Sequence, residues 1–259
     1  MTSTVTHTIE GSHANVIINN PARMNSISLE GWSEFGRVLR KLSAENSLRC
    51  IIIRGAGDRA FSAGADISEF SKVRINASQA SSYGAVVAEG LMALRKCIHP
   101  TLAAIQGVCT GGGMEIACGC DLRIANTSAR FGVPINKLGH AFAFAEMQTV
   151  LSSVDRKLVL ELILEGRILN ADEALKRGLL NRVVENDLFE NEIVSTVDRI
   201  IKGAPLVNRA AKKFLNRLEE PAPLSKEEIA EGYALCDTND YAEGVRAFLA
   251  KEKPVFKGN

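Results

Sequence analysis

The chain has no excess charge of either sign, no pair of histidines at metal-ligand spacing and no apolar run that could cross a bilayer. Each absence closes off a class of function. Thirty-one basic residues stand against thirty acidic ones, a net charge of +1, so bulk electrostatics does not point to nucleic acid. His7, His13, His99 and His140 are scattered, and no metal site is expected. No stretch reaches the ~20 apolar residues of a spanning helix. The opening MTSTVTHTIEG lacks the basic region and apolar run of a secretory signal. The six cysteines (Cys50, Cys97, Cys109, Cys118, Cys120 and Cys236) lie in apolar runs and follow no disulfide framework. Cys118 and Cys120 fit neither a CxxC redox motif nor a zinc knuckle and read as small buried hydrophobes. Reduced thiols and no membrane segment predict a cytoplasmic protein. A Walker A lysine, a GxSxG elbow, an HExxH pair, internal repeats and low-complexity linkers are also missing.

What is present is an ordinary globular balance. The 259 residues are 46% hydrophobic and 24% charged, enough for one large domain or two small ones with a sizeable core. Residues 14–19 (ANVIIN) read as a strand and 50–54 (CIIIR) as a second, buried one. Between them Leu29, Trp32, Phe35, Val38, Leu39 and Leu42 recur at three- and four-residue steps, the spacing of one helix face. Ser28 fits its N-cap, with Glu30 in the first turn. Strand, helix, strand predicts a crossover unit in a largely parallel sheet. Residues 55–68 (GAGDRAFSAGADIS) lack periodicity and read as a loop, 77–96 as a helix, 101–109 (TLAAIQGVC) as a third strand, 114–120 as a short helix and 121–125 (DLRIA) as another strand. Beyond residue 145 the pattern is mostly helical, punctuated at Gly166, Gly178, Pro205 and Pro221-Ala222-Pro223. The expected organisation is an α/β core over residues 1–195 and a helical region over 196–259.

Three glycine-bearing segments carry the chemistry. Gly55-Ala56-Gly57-Asp58-Arg59-Ala60 matches the dinucleotide fingerprint after a strand. A nucleotide site needs a helix to open at those glycines, and Phe61-Ser62-Ala63-Gly64-Ala65-Asp66 does not make one, so that reading is set aside. The other two are Ala60–Ile67 (AFSAGADI) and Gly107–Glu115 (GVCTGGGME). In the latter, three glycines follow a buried strand and open a helix, so a ligand can approach the backbone closely. The first N–H groups of that helix are unpaired and carry partial positive charge, which suits a developing oxyanion. Glu115, three residues after Gly112, shares its helix face. Among Met114, Ile116, Ala117 and Cys118 its pKa should rise, suiting it to proton transfer. An acid in a first turn that merely complements the helix dipole is an equal reading from spacing alone.

AFSAGADISEF and GVCTGGGMEIACGCDLRIA closely resemble the two signature segments of the crotonase superfamily, also called the enoyl-CoA hydratase/isomerase family. The resemblance extends through Asn20-Pro21, Met24-Asn25-Ser26, Ala129–Pro134 (ARFGVP), LILEGRILNADEALKRGLLNRVV and EGVRAFLAKEKPVF, in order and over nearly the whole chain. It implies a crotonase-like superhelix of ββα units with a C-terminal helical trimerisation region, in homotrimers or dimers of trimers. It implies an acyl-CoA thioester as substrate, with coenzyme A as part of the substrate and no separate cofactor. By motif position, the backbone N–H groups of Ala65 and Gly112 would hold the thioester carbonyl and Glu115 would be the acid/base group. Coenzyme A would lie near Ala22, Met24, Ala63, Asp66 and Ile67. Phe248 and Lys251 would reach it, often across a subunit boundary.

One departure matters more than the matches. Hydratases of this family carry a second glutamate after the proline of the FGxPE-like segment, and here that position is Ile135. The following Leu138–Glu146 (LGHAFAFAE) also lacks the usual proline and glycines. Ile135, His140 and Phe142 would line an apolar acyl pocket. Efficient hydration is therefore in question. The expectation is an enzyme that stabilises a thioester enolate, of enoyl-CoA hydratase/isomerase type. A decarboxylase similar to methylmalonyl-CoA decarboxylase, which keeps the first glutamate and lacks the second, is one alternative. Others are a non-catalytic acyl-CoA binder and a member in which His140 or Glu146 supplies the second group.

Overall fold

The computed structural model describes residues 4–259. It turns the apolar alternation of the first residues into a hairpin of β1 (Val5–Glu10) and β2 (His13–Ile18). Helix α1 (Leu29–Ser43) follows, with the Ser28 hydroxyl accepting the Gly31 N–H at 3.0 Å. Trp32, Phe35, Val38, Leu39 and Leu42 are all buried, as their spacing requires. The chain then runs β3 (Cys50–Gly55), β4 (Ala60–Ser62), α2 (Phe70–Val73), α3 (Ala77–Arg95), β5 (Thr101–Ile105), β6 (Val108–Thr110) and α4 (Gly112–Gly119). Next come β7 (Leu122–Asn126), β8 (Arg130–Gly132), α5 (Phe144–Leu151), α6 (Arg156–Leu164), β9 (Ile168–Asn170), α7 (Ala171–Lys176) and β10 (Arg182–Val184). Helices α8 (Phe189–Lys202), α9 (Pro205–Leu218), α10 (Lys226–Ala234) and α11 (Asn239–Ala250) complete it.

The strands sort into two sheets. One has the order β1-β2-β3-β5-β7-β10, parallel except for the β1–β2 hairpin; the other is β4-β6-β8-β9. Each successive pair, β3–β4, β5–β6 and β7–β8, sends its first strand to the larger sheet and its second to the smaller, then passes into helix. This is the ββα repeat that the resemblance implies. The central strands β3 and β5 of the larger sheet are buried on both faces, which explains their unbroken apolar runs. On β3, Ile51 and Ile53 join the main core with α1, α3 and α4, while Cys50 and Ile52 meet Phe189, Ile193 and Val197 of α8. Lys212 of α9 is pinned inside, its ammonium 2.8 Å from Asp121 and donating to the His99 carbonyl at 3.2 Å.

Several elements differ from the sequence expectation. β1, β4, β8, β9 and β10 were not foreseen; all but β1 are three-residue strands, too short to show alternation. The run 101–109 is two strands rather than one. It breaks at Gly107, which adopts φ +62°, and a Cβ there would lie 2.0 Å from the Arg59 carbonyl oxygen. The short helix starts at Gly112, two residues earlier than expected. Residues 55–68 are not all loop, since β4 occupies their centre; no helix opens at Gly55 or Gly57, consistent with setting the dinucleotide motif aside. Cys118 and Cys120 are buried, whereas Cys236 is exposed.

Candidate active site

The two glycine loops meet. Ser62, at the end of β4, donates its hydroxyl to the Asn25 carbonyl at 2.7 Å and accepts the Gly64 N–H at 3.1 Å. The loop is also stitched to 24–27, with Ala63 N–H to Met24 O at 2.9 Å, Ile27 N–H to Gly64 O at 2.7 Å and Asp66 N–H to Ile27 O at 2.9 Å. Gly64 adopts φ +92°, and a Cβ there would come within 2.7 Å of the Gly112 nitrogen. Only glycine satisfies both the backbone angle and this approach. The result sets the Ala65 N–H beside the first turn of α4. Neither the Ala65 nor the Gly112 N–H donates to a protein acceptor among the described residues. The dipole of α4 adds positive potential there.

A cavity of about 330 Å³ opens onto these donors. Ala63, Ala65, Ile67, Gly112, Glu115, Ile135, His140 and Phe142 all line it, so it collects eight of the residues singled out in the sequence. Glu115 is 5% exposed on α4, and neither of its oxygens bonds to protein among the described residues. Burial, and then the charge of Glu146, raise its pKa well above the ordinary carboxylate range, with Arg74 opposing weakly. Glu146, 7% exposed in the first turn of α5, reaches the same cavity. Its Oε2 accepts the Ala143 N–H at 2.9 Å, which fixes the carboxyl and leaves Oε1 without a protein partner. A capping role and a cavity-facing role thus coexist in one side chain.

The other predicted positions lie outside this lining. Ala22 sits in the exposed turn Pro21–Arg23, and Met24 contributes the carbonyl that holds Ala63. The Asp66 carboxylate is held by Arg23 at 2.8 Å and caps the turn through Ser68, and its pKa is lowered by these bonds against the opposing effect of burial. Phe248 is 83% exposed near the end of α11, and Lys251 forms that helix's left-handed cap; neither touches the cavity within one chain. Arg74 and Tyr83 were not foreseen: both line the cavity, but α2 and the start of α3 carry no motif that marks them.

Two unpaired backbone N–H groups and two buried carboxyls thus share one cavity. The enoyl-CoA hydratase/isomerase family model matches residues 8–259, and the chain belongs to that family. The short-chain-enoyl-CoA hydratase of Clostridium acetobutylicum is 31% identical over 249 residues, which cover 94% of each chain. A crystal structure described as an enoyl-CoA hydratase/carnithine racemase from Magnetospirillum magneticum is 44% identical, with a TM-score of 0.97 over 100% of this chain and 97% of that one. An enoyl-CoA hydratase from Bacillus anthracis superposes with a TM-score of 0.91 at 28% identity, over 99% of this chain and 100% of that one.

Proposed function

We propose that the protein adds or eliminates water across an enoyl-CoA thioester. The Ala65 and Gly112 N–H groups hold the thioester oxygen as it gains charge, and Glu115 and Glu146 move the protons. The observation that carries this reading is the convergence of two buried carboxyls on the cavity that contains the two unpaired N–H groups. One carboxyl must give a proton while the other takes one, and burial together with the charge of Glu146 favours the protonated form of Glu115. Glu146 thereby supplies what Ile135 lacks, from a different element. Coenzyme A would run past Ala22, Met24, Ala63, Asp66 and Ile67, with Phe248 and Lys251 reaching it from a neighbouring copy in a trimer.

The test is turnover of crotonyl-CoA, followed by loss of enoyl absorbance. Glu115→Gln and Glu146→Gln should each cost about a hundredfold or more, with acyl-CoA binding retained. The double variant should be scarcely worse than either single one, because the two act as a unit. Wild-type kcat/KM should fall on an alkaline limb that lies above ordinary carboxylate titration, where the raised Glu115 gives up its proton. A decarboxylase reading rests on Ile135, the apolar wall where the resemblance expects a carboxylate. It predicts an active Glu146→Gln enzyme and release of carbon dioxide from malonyl-type CoA esters.

A further inference from the structure

Arg74 stands in this cavity with its charge uncommitted. It follows α2, and its guanidinium lies 5.0 Å from the ring centre of Phe70 and 5.4 Å from that of Tyr83. Those contacts hold the group against the two rings. The guanidinium carries five N–H donors and no acceptor. No carboxylate oxygen lies within ion-pair distance of it among the described residues, although Glu115 and Glu146 share the cavity. Among the described residues its one polar contact is Nη2 to His140 Nδ1, at 3.3 Å. The same Nδ1 lies 2.9 Å from the Ala141 carbonyl oxygen. If Nδ1 carries a proton and donates to that carbonyl, it cannot also accept from Arg74. The guanidinium is left with one long hydrogen bond or none.

A cation braced by two rings and aimed into an acyl cavity is an incomplete ion pair. Were Arg74 there only to neutralise the acids, it would sit against one of them. Resting on this acyl-CoA reading, we infer that Arg74 binds a second carboxylate on the acyl group, so that the preferred substrates are monothioesters of dicarboxylic acids. A carboxylate matches the guanidinium fork with two parallel hydrogen bonds, and half-burial strengthens them. The same geometry sets the register of the acyl chain, because the oxyanion donors fix one end and Arg74 the other. The carboxylate is bound, not consumed, and stays in the product.

The test compares esters of equal carbon number with and without the far carboxylate: glutaconyl-CoA against pentenoyl-CoA, and hexenedioyl-CoA against hexenoyl-CoA. Binding is measured by calorimetry, turnover by kcat/KM and products by mass. Wild type should favour the carboxylated member of at least one pair by about tenfold or more, the scale of a charge-assisted hydrogen bond. Arg74→Gln should abolish that ratio, and Arg74→Lys should keep part of it. If the glutamine variant fails to fold, the wild-type ratio and the lysine variant decide. Equal use of both members, a ratio that survives in Arg74→Gln, or loss of carbon dioxide from the diacid would each overturn the inference while leaving acyl-CoA chemistry intact. Failure to bind any of the four esters would overturn the acyl-CoA reading as well.

Discussion

In the proposed mechanism Ala65 acts only through its backbone N–H, so most substitutions there test side-chain fit rather than chemistry. Proline is the informative one, because it deletes the donor. Turnover of Ala65→Pro should fall about a hundredfold or more, the cost of losing one oxyanion donor. Circular dichroism must first show a native fold; a folded variant with full activity would remove Ala65 from the site. Glu115 is a different kind of residue. Its position was legible from three glycines opening a helix, since the helix N-terminus and the next turn's side chain are local geometry. Its partner was legible only as one of two alternatives, His140 or Glu146. The sequence marks Ile135 as the place where a second acid is missing, and only the packing of α5 against α4 shows that Glu146 reaches the same space. Arg74 was less legible still. A lone arginine in a polar stretch reads as solvated until α2 and α3 fold its guanidinium against Phe70 and Tyr83.

At the level of elements, the site depends on strands too short to announce themselves. β4 and β6 are three residues each, yet their pairing brings the loop carrying Ala65 beside the helix carrying Gly112. Longer elements were legible: α1 through its capping residue and apolar face, α3 as a helix over 77–96, and β3 and β5 through continuous apolar runs. The junction between the core and α9 rests on a polar contact that no periodicity reveals. Asp121 accepts from the Thr101 N–H at 2.7 Å, from the Thr101 hydroxyl at 2.8 Å and from Lys212 at 2.8 Å. Lys212→Met keeps the length of the stem and removes the charge. It should destabilise the fold by about 2 to 3 kcal/mol, measured by urea denaturation at fixed protein concentration. A loss near zero would mean that solvent replaces the ammonium at Asp121 without cost.

Across the whole molecule, the last helices leave apolar side chains in the open. Phe248 and Leu249 of α11 are 83% and 76% exposed, and Leu206, Leu235, Tyr241 and Phe256 line a groove of about 460 Å³ beside them. Contiguous apolar surface of this kind marks a contact face. Sedimentation equilibrium should give three or six copies per particle, and Lys251→Ala should weaken CoA-ester binding in a salt-sensitive way. A monomer that binds CoA esters normally would contradict a site shared between copies.

The sequence by itself determined the family resemblance, with the ββα class it implies, the two glycine loops and the position of Glu115 one turn into the helix. The last two are local: a glycine where a side chain would collide, a helix that begins with free N–H groups, an acid one turn on. Tertiary structure decided the rest. Glu146 and Arg74 come from α5 and the segment after α2, and their distance from Glu115 in the chain carries no periodic signal. They meet Glu115 only because two sheets and the helices between them close around one cavity, which brings together side chains far apart in the chain.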